Sequence, residues 1–336
     1  MRQWIIRKGA SSLADLELRE VEQPAPGPGE VLVRVRACSL NYRDQAIPLG
    51  LYIGGTVDRD TVPLSDGAGE IAALGEGVTG LAVGDRVAGL FFQSWVDGPP
   101  NPHVGLALGA APATGMLQDY VVLPVSGVVR VAESLSFAEA ACLPCAGVTA
   151  WNALMEGPRA VSAGESVLVL GTGGVSLLAL QIAKAARARV VATSSSDAKL
   201  DRVRAMGADD TINYRADPEW GAAAARLTGG VDHVVEVGGV GTLAQSIAAV
   251  GFAGEIALIG VLTREGDTSP HGLMFKGASL RGIFVGSKAM ALRLNAFVDA
   301  HGIKPVIDRT FAMEDALEAY RYQASPELFG KVVIEL

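Results

Sequence analysis

Cysteine is scarce in this chain of 336 residues, with only Cys38, Cys142 and Cys145 present. An odd set that small builds no disulfide framework and fits a reducing compartment, so a cytoplasmic protein is expected. Basic residues are outnumbered, 28 Lys+Arg against 36 Asp+Glu for a net charge of −8, and no polybasic block occurs. That balance argues against nucleic acid or an anionic membrane as the principal partner and leaves a small-molecule substrate. Long apolar runs are missing too. The N-terminus has none that would serve a secretory leader. The most apolar stretch, 167–183, is interrupted by Gly171, Gly173, Gly174, Ser176 and Gln181. A membrane helix needs about 20 predominantly apolar residues, so a buried strand and helix is the better reading. Internal repeats and low-complexity tracts are absent. What the chain does have is 49 % apolar residues and 41 glycines without a collagen-like period, which suits an α/β enzyme. Its length suits about two domains.

The order of patterns along the chain gives the architecture. The first 125 residues read mostly as strand: 31–38 alternates apolar and basic side chains after a stiff Pro24–Gly29 turn, and 69–75 and 85–89 are short strands between glycines. Residues 94–115 form a long loop. Segments 137–143 and 147–155 are helical in composition, joined at Pro144. From there strands at 166–170, 189–193, 210–213, 231–236 and 254–260 alternate with helices at 174–187, 197–206, 217–227 and 241–250. Such a series predicts a doubly wound parallel sheet covered by helices. A helix around 314–323 and a closing strand at 331–335 complete the tail. The whole reads as a mostly-β catalytic domain (1–146 and 288–336) split by a nucleotide-binding insert (147–287).

The most informative segment is a buried strand running into Gly171-Thr172-Gly173-Gly174-Val175 and then a helix. Gly171 permits a tight turn, and Gly173 and Gly174 let backbone N–H groups approach a pyrophosphate at the helix N-terminus, where the dipole favours an anion. Placement inside a βαβ series makes this a dinucleotide site rather than a packing turn. The acidic residue that would clamp a ribose 2′-hydroxyl about 20 residues further on is lacking. In its place stands Thr193-Ser194-Ser195-Ser196-Asp197, followed by Lys199. Hydroxyls and a cation suit a 2′-phosphate, so NADP(H) is the expected cofactor, with Asp197 serving as helix N-cap.

These residues, with Gly67-Ala68-Gly69-Glu70, Val83-Gly84-Asp85-Arg86-Val87, Cys145-Ala146-Gly147-Val148-Thr149 and the closing Gly330-Lys331-Val332-Val333-Ile334, resemble the medium-chain dehydrogenase/reductase superfamily over nearly the whole chain. Ser39-Leu40-Asn41-Tyr42-Arg43-Asp44 and Ile212-Asn213-Tyr214 are similar to its zinc-independent quinone oxidoreductases of the zeta-crystallin type. The resemblance implies a Rossmann domain inserted in a GroES-like β-barrel catalytic domain, a cofactor cleft between them, and a homodimer. It places Lys199 and Tyr214 on the 2′-phosphate and Thr149 beside the nicotinamide, with Gly260 and the 284–287 backbone (Phe284, Val285) on the other side. Val237 and Gly238 fall near the ribose.

Zinc-using members of that family carry a Cys, a His-Glu pair and a second Cys or Asp. Here the corresponding positions read Cys38, Ser65-Asp66 and Cys145. A serine hydroxyl is a poor ligand for Zn²⁺, so no metal is expected, and Cys38 and Cys145 read as apolar fillers. The loop at 94–115, where a structural zinc would need four cysteines, has none; its His103 is one of four histidines. Without a metal, an enolate or quinol oxyanion is held by hydrogen-bond donors, for which Asn41, Tyr42, Tyr52 and Ser65 are the candidates. Arg43 and Asp44 read as an ion pair or cap. The function expected is NADPH-dependent hydride transfer to a quinone or an α,β-unsaturated carbonyl compound. The alternatives are an alcohol dehydrogenase or carbonyl reductase of the same fold with zinc on Cys38, Asp66 and Cys145, and a non-catalytic nucleotide-binding protein.

Overall fold

The protein is described by a computed structural model covering residues 1–336 except Gly54, His103, Arg264 and Asp267, so the loop histidine His103 lies outside the described residues. Contacts divide the chain into two compact units, Met1–Val148 with Val285–Leu336, and Thr149–Phe284.

In the first unit, β1 (Arg2–Ile6) and β2 (Leu16–Glu20) form an antiparallel pair, and β3 (Glu30–Ser39) leads to the short α1 (Tyr42–Ala46). Then come β4 (Asp66–Leu74), β5 (Arg86–Gly89), β6 (Tyr120–Pro124), β7 (Val128–Arg130) and α2 (Phe137–Ala140). Strands β3 and β4 are antiparallel, with Cys38 opposite Gly67 and Ser39 opposite Asp66. A Cβ on Gly69 would lie 2.0 Å from the Arg34 carbonyl oxygen, so only glycine lets the two backbones approach this closely. The helix expected over 137–143 stops at Ala140. A single π-turn follows at Leu143–Gly147, because Pro144 has no N–H to continue an α-ladder.

In the second unit α3 (Val148–Met155), which starts at the boundary, precedes β8 (Ser166–Leu170), α4 (Gly174–Ala185), β9 (Arg189–Ser194), α5 (Asp197–Ala205), β10 (Asp210–Asn213), α6 (Trp220–Thr228), β11 (Val231–Glu236), α7 (Val240–Ala249), β12 (Val250–Leu258), α8 (His271–Lys276) and β13 (Ser279–Gly282). The six strands are all parallel, in the order β10-β9-β8-β11-β12-β13. The sense of winding reverses between β8 and β11, which is where doubly wound sheets bind ligands at their carboxyl edge. All five residues of β8 are buried, so its sequence shows an unbroken apolar run instead of alternation. Strand β12 starts at Val250, earlier than the expected 254, and bends at Ala253, whose φ is +55°.

The chain returns to the first unit through α9 (Lys288–His301), β14 (Ile307–Ala312), α10 (Ala316–Gln323) and β15 (Lys331–Glu335). β15 joins the edge of β3, completing a seven-stranded sheet with Tyr320, Val332 and Ile334 in its core. Among the described residues no helix is long and apolar enough to cross a membrane.

Candidate active site

The glycine loop is built as its sequence requires. Gly171 sits at φ +72°, and its N–H donates to the Thr193 carbonyl at 2.9 Å, tying the loop to the next strand. Ser176 Oγ donates back to the Leu170 carbonyl at 2.7 Å, and Thr172 is buried. A Cβ added at Gly171 or Gly173 would meet nothing within 4 Å, so the space over the loop is open. Gly173 is the N-cap of α4, and no side chain caps the helix. The first turn, Gly174 and Val175, therefore offers backbone N–H groups at the positive end of a 12-residue helix. These residues fit a pyrophosphate.

At the end of β9, Ser194 is paired with Asn213 of β10, and the Tyr214 N–H donates to the Ser194 carbonyl at 3.1 Å. Register thereby brings Ser194 and Tyr214 together, with the Tyr214 side chain 40 % exposed. The N-cap of α5 is Ser196, whose Oγ accepts from the Lys199 N–H at 3.4 Å. This corrects the expected cap at Asp197. That residue is the first of the helix, and its Oδ1 accepts from Asn213 Nδ2 at 2.7 Å. Its charge is thus directed at β10 rather than across the Ser194–Ser195 edge. Ser195 and Lys199 are half-buried on that edge.

Beyond β11 the structure shows a residue that sequence reasoning missed. Glu236 is fully buried, and its Oε1 accepts from the N–H groups of Gly238 (2.7 Å) and Gly239 (2.9 Å) and from Thr242 Oγ1 (2.6 Å). Ser246 Oγ donates to the other oxygen. The carboxylate acts as a built-in anion at the N-terminus of α7, stabilising the 237–239 turn. The Gly238 carbonyl accepts from Thr263 N and Oγ1, both at 2.9 Å, so both polar backbone groups of Gly238 are engaged within the unit. Gly260 is required by packing, since a Cβ there would sit 2.0 Å from the Val237 carbonyl. Thr149 is buried and Phe284 is 51 % exposed. Val285 has φ +51°, a sparsely populated region for a β-branched side chain and a sign of local strain.

In the first unit a polar chain runs through an apolar surround. Asn41, Ser65, Asp66 and Lys331 are all buried. Lys331 Nζ donates to the Leu40 carbonyl and, at 2.7 Å, to Asn41 Oδ1. Asn41 Nδ2 reaches Ser65 Oγ at 3.4 Å, the Ser65 hydroxyl bonds Asp66 Oδ1 at 2.7 Å, and Asp66 Oδ2 accepts from the Cys145 N–H at 3.0 Å. Of the four expected donors, the structure unites Asn41 and Ser65. Tyr42 is 49 % exposed at the first turn of α1 and is not drawn into this chain. Tyr52 is half-buried, its ring stacked under the Arg43 guanidinium at 5.1 Å, with Phe91 at 4.8 Å from the same group. Asp44 acts as a cap, its Oδ2 accepting from the Asn41 N–H at 2.7 Å, while Arg43 Nη1 donates to the Leu108 carbonyl and stays 3.9 Å from Asp44 Oδ1. Burial pushes Asp44 up to about 6, against the opposing pull of Arg43. Burial raises Asp66 as well, opposed by Lys331. Leu64, just before Ser65, adopts φ +69° and is held there by the Met116 N–H on its carbonyl at 2.8 Å.

The same cluster contains the positions where the family's zinc users carry ligands. Cys38 Sγ donates to the Met116 carbonyl at 3.1 Å, and burial with Asp66 and Asp44 nearby raises its thiol well above the ordinary range. Cys145 is raised for the same reasons, burial first and then Asp66. Among the described residues no group of three or more His, Cys, Asp or Glu is placed to hold an ion. A hydroxyl in the imidazole position and an Asp66 carboxyl with both oxygens hydrogen-bonded do not fit a tetrahedral zinc as arranged.

A 3-2-1-4-5-6 parallel sheet with an open glycine turn after its first strand defines a dinucleotide-binding domain of the Rossmann type. Family models match both parts of the chain: an alcohol dehydrogenase GroES-like domain over residues 27–133 and a zinc-binding dehydrogenase over 174–300. A zinc-type alcohol dehydrogenase-like protein of Schizosaccharomyces pombe is 43 % identical, covering 99 % of each chain. The 2-methylene-furan-3-one reductase of Solanum lycopersicum is 31 % identical over 91 % of this chain and 71 % of its own. A crystal structure of an NAD-dependent alcohol dehydrogenase superposes with TM-score 0.90 and 34 % identity over the full length of both chains. The protein belongs to the medium-chain dehydrogenase/reductase superfamily and is an NAD(P)H-dependent oxidoreductase.

Proposed function

We propose that the protein is a zinc-independent, NADPH-dependent reductase of the zeta-crystallin type, acting on a quinone or an α,β-unsaturated carbonyl compound. The observation that carries this reading is Ser65, hydrogen-bonded between Asn41 and Asp66 where an imidazole would bind metal. Bound NADPH would supply the hydride. The chain's own donors then hold the oxyanion that develops on the substrate: the Asn41 amide has a second N–H, and Ser65 supports its orientation. Reduction of an activated alkene or quinone needs no more polarisation than that. The name of the tomato relative, a reductase of an unsaturated furanone, is in line with this reading.

The names of the fission-yeast and NAD-dependent relatives favour a second reading, an alcohol dehydrogenase with zinc on Cys38, Asp66 and Cys145. Elemental analysis separates the two. We expect far less than one zinc per chain and activity that survives chelation; stoichiometric zinc lost together with activity would transfer the assignment to the alcohol dehydrogenase.

Cofactor choice is tested at the edge formed by Ser194, Ser195, Lys199 and Tyr214. NADPH is expected to bind more tightly than NADH by roughly 1–3 kcal/mol, the range of charge-assisted hydrogen bonds. Lys199→Ala should narrow that gap and leave NADH affinity nearly unchanged, as fluorescence titration of both cofactors would show. Equal affinities in the wild type would refute the NADPH assignment. The partner we propose is a second copy of the chain along edge strand β13, where Leu280 is exposed and Phe252, Met274 and Phe275 stand out on the same unit.

A further inference from the structure

We infer that Lys331 is a positioning residue that fixes the amide of Asn41, and with it the direction of the hydrogen bonds running on to Asp66. This rests on the reading of Asn41 as an oxyanion donor. A lysine ammonium has three N–H donors and no acceptor. Whatever lies 2.7 Å from Lys331 Nζ must accept, so the Asn41 atom facing it is the carbonyl oxygen. The amide nitrogen is thereby turned towards Ser65 Oγ, and the opposite flip would set N–H groups against a buried cation. With its oxygen occupied as an acceptor, Ser65 gives its own proton to Asp66 Oδ1 at 2.7 Å. Every donor thus points from the cation to the carboxyl, and the Asn41 amide itself is among the groups that hydrogen-bond Asp66.

The arrangement follows from strand register. β15 pairs with β3 so that Val333 faces Ser39, and the Leu40 N–H donates to the Val332 carbonyl at 3.1 Å. Continuing that antiparallel register by two residues puts Lys331 opposite Asn41, although the two are 290 residues apart in sequence. The Asn41–Ser65 contact is long at 3.4 Å and would not hold the amide firmly by itself. The lysine is 4 % exposed and has no carboxylate within ion-pair distance among the described residues, so its charge is not cancelled by contact. A positive charge at that point also favours an anion forming beside Asn41.

The test is a double-mutant cycle with Asn41→Ala and Lys331→Met, assayed on 1,4-benzoquinone and 2-cyclohexen-1-one with NADPH titrated separately. Lys331→Met alone should lower kcat by about 10²-fold, the typical cost of a misplaced group, with NADPH affinity unchanged. In the Asn41→Ala background it should cost almost nothing, because the group it positions is gone. Lys331→Arg, which keeps a donor cation, should recover part of kcat. Additive losses, or a folded Lys331→Met enzyme with wild-type kcat, would overturn the inference. If Lys331→Met does not fold, the same cycle is run with Lys331→Leu, which likewise removes every N–H donor, and coupling or additivity decides as before. An Asn41→Ala enzyme with undiminished kcat overturns the oxyanion reading itself; loss in Asn41→Ala without loss in Lys331→Met overturns only the role of the lysine.

Discussion

Asn41→Ala is expected to lower kcat for quinone or enone reduction by about 10²–10³, the usual cost of deleting one oxyanion donor, while NADPH affinity stays near that of the wild type. The reason is local. Asn41 is buried, with its oxygen committed to Lys331 and its amide nitrogen turned towards Ser65, so the amide is held in one fixed orientation. Water in the cavity left by alanine would have no such orientation. The backbone should tolerate the change, because the variant keeps the Asp44 Oδ2 half of the α1 cap, which accepts from the main-chain N–H of residue 41. Tyr52→Phe is the comparison. The phenol ring stacks under Arg43 at 5.1 Å and packs on the core, contacts that phenylalanine retains, so only the hydroxyl is tested. Unchanged kcat in both variants would move the donor elsewhere, and steady-state kinetics with separate cofactor titrations makes the distinction.

The dinucleotide unit was largely legible because its signals are local. Strand β8 is an uninterrupted apolar run, the glycines follow it directly, and the strands expected at 166–170, 210–213 and 231–236 are observed with those bounds. The closing strand at 331–335 is likewise where its β-branched run places it. Helix α9 has no counterpart among the expected elements, although Ala291, Leu294 and Val298 are buried at helical spacing. The functional cluster was legible only in part. Asn41 and Ser65 are visible as polar residues in motifs. Lys331 reads as an ordinary lysine at a strand start, because its partner is brought in by a long-range antiparallel pairing that no short window contains. Glu236 escaped notice for a related reason: an acidic residue at a strand end looks solvent-facing until the turn beyond it folds back to donate three hydrogen bonds. Tyr42 and Tyr52 stand out by residue type alone, in a segment whose direction the sequence does not encode, and α1 turns Tyr42 outward.

Asp44→Asn is expected to change how stability depends on pH. The Asp44 carboxyl is buried and pushed up from its ordinary value of 3.8 to about 6, chiefly by loss of solvent, with Arg43 and the Asn41 N–H opposing. In the unfolded chain the same group titrates near its ordinary value. Between about pH 4 and pH 6 the native state therefore holds a proton that the unfolded state has released. The unfolded state binds fewer protons there, so native stability falls as pH rises through that window and the loss is complete above it. A shift of about two units corresponds to about 3 kcal/mol. Surface carboxylates held low by arginines, Asp119 among them, contribute alike to both proteins and cancel in the comparison. Asp66, itself one of the causes that raise Asp44, loses a like-charged neighbour in the variant and adds to the difference in the same direction. Asparagine keeps an oxygen to accept from the Asn41 N–H but has nothing to ionise. Relative to wild type, Asp44→Asn should gain about 3 kcal/mol of unfolding free energy on going from pH 4 to pH 7, whatever its absolute stability at either end. Urea titrations of both proteins at pH 4, 5.5 and 7 measure this. A difference between them that stays flat with pH would mean that the Asp44 carboxyl titrates at its unfolded value, and that Arg43, 3.9 Å away, compensates its burial in full.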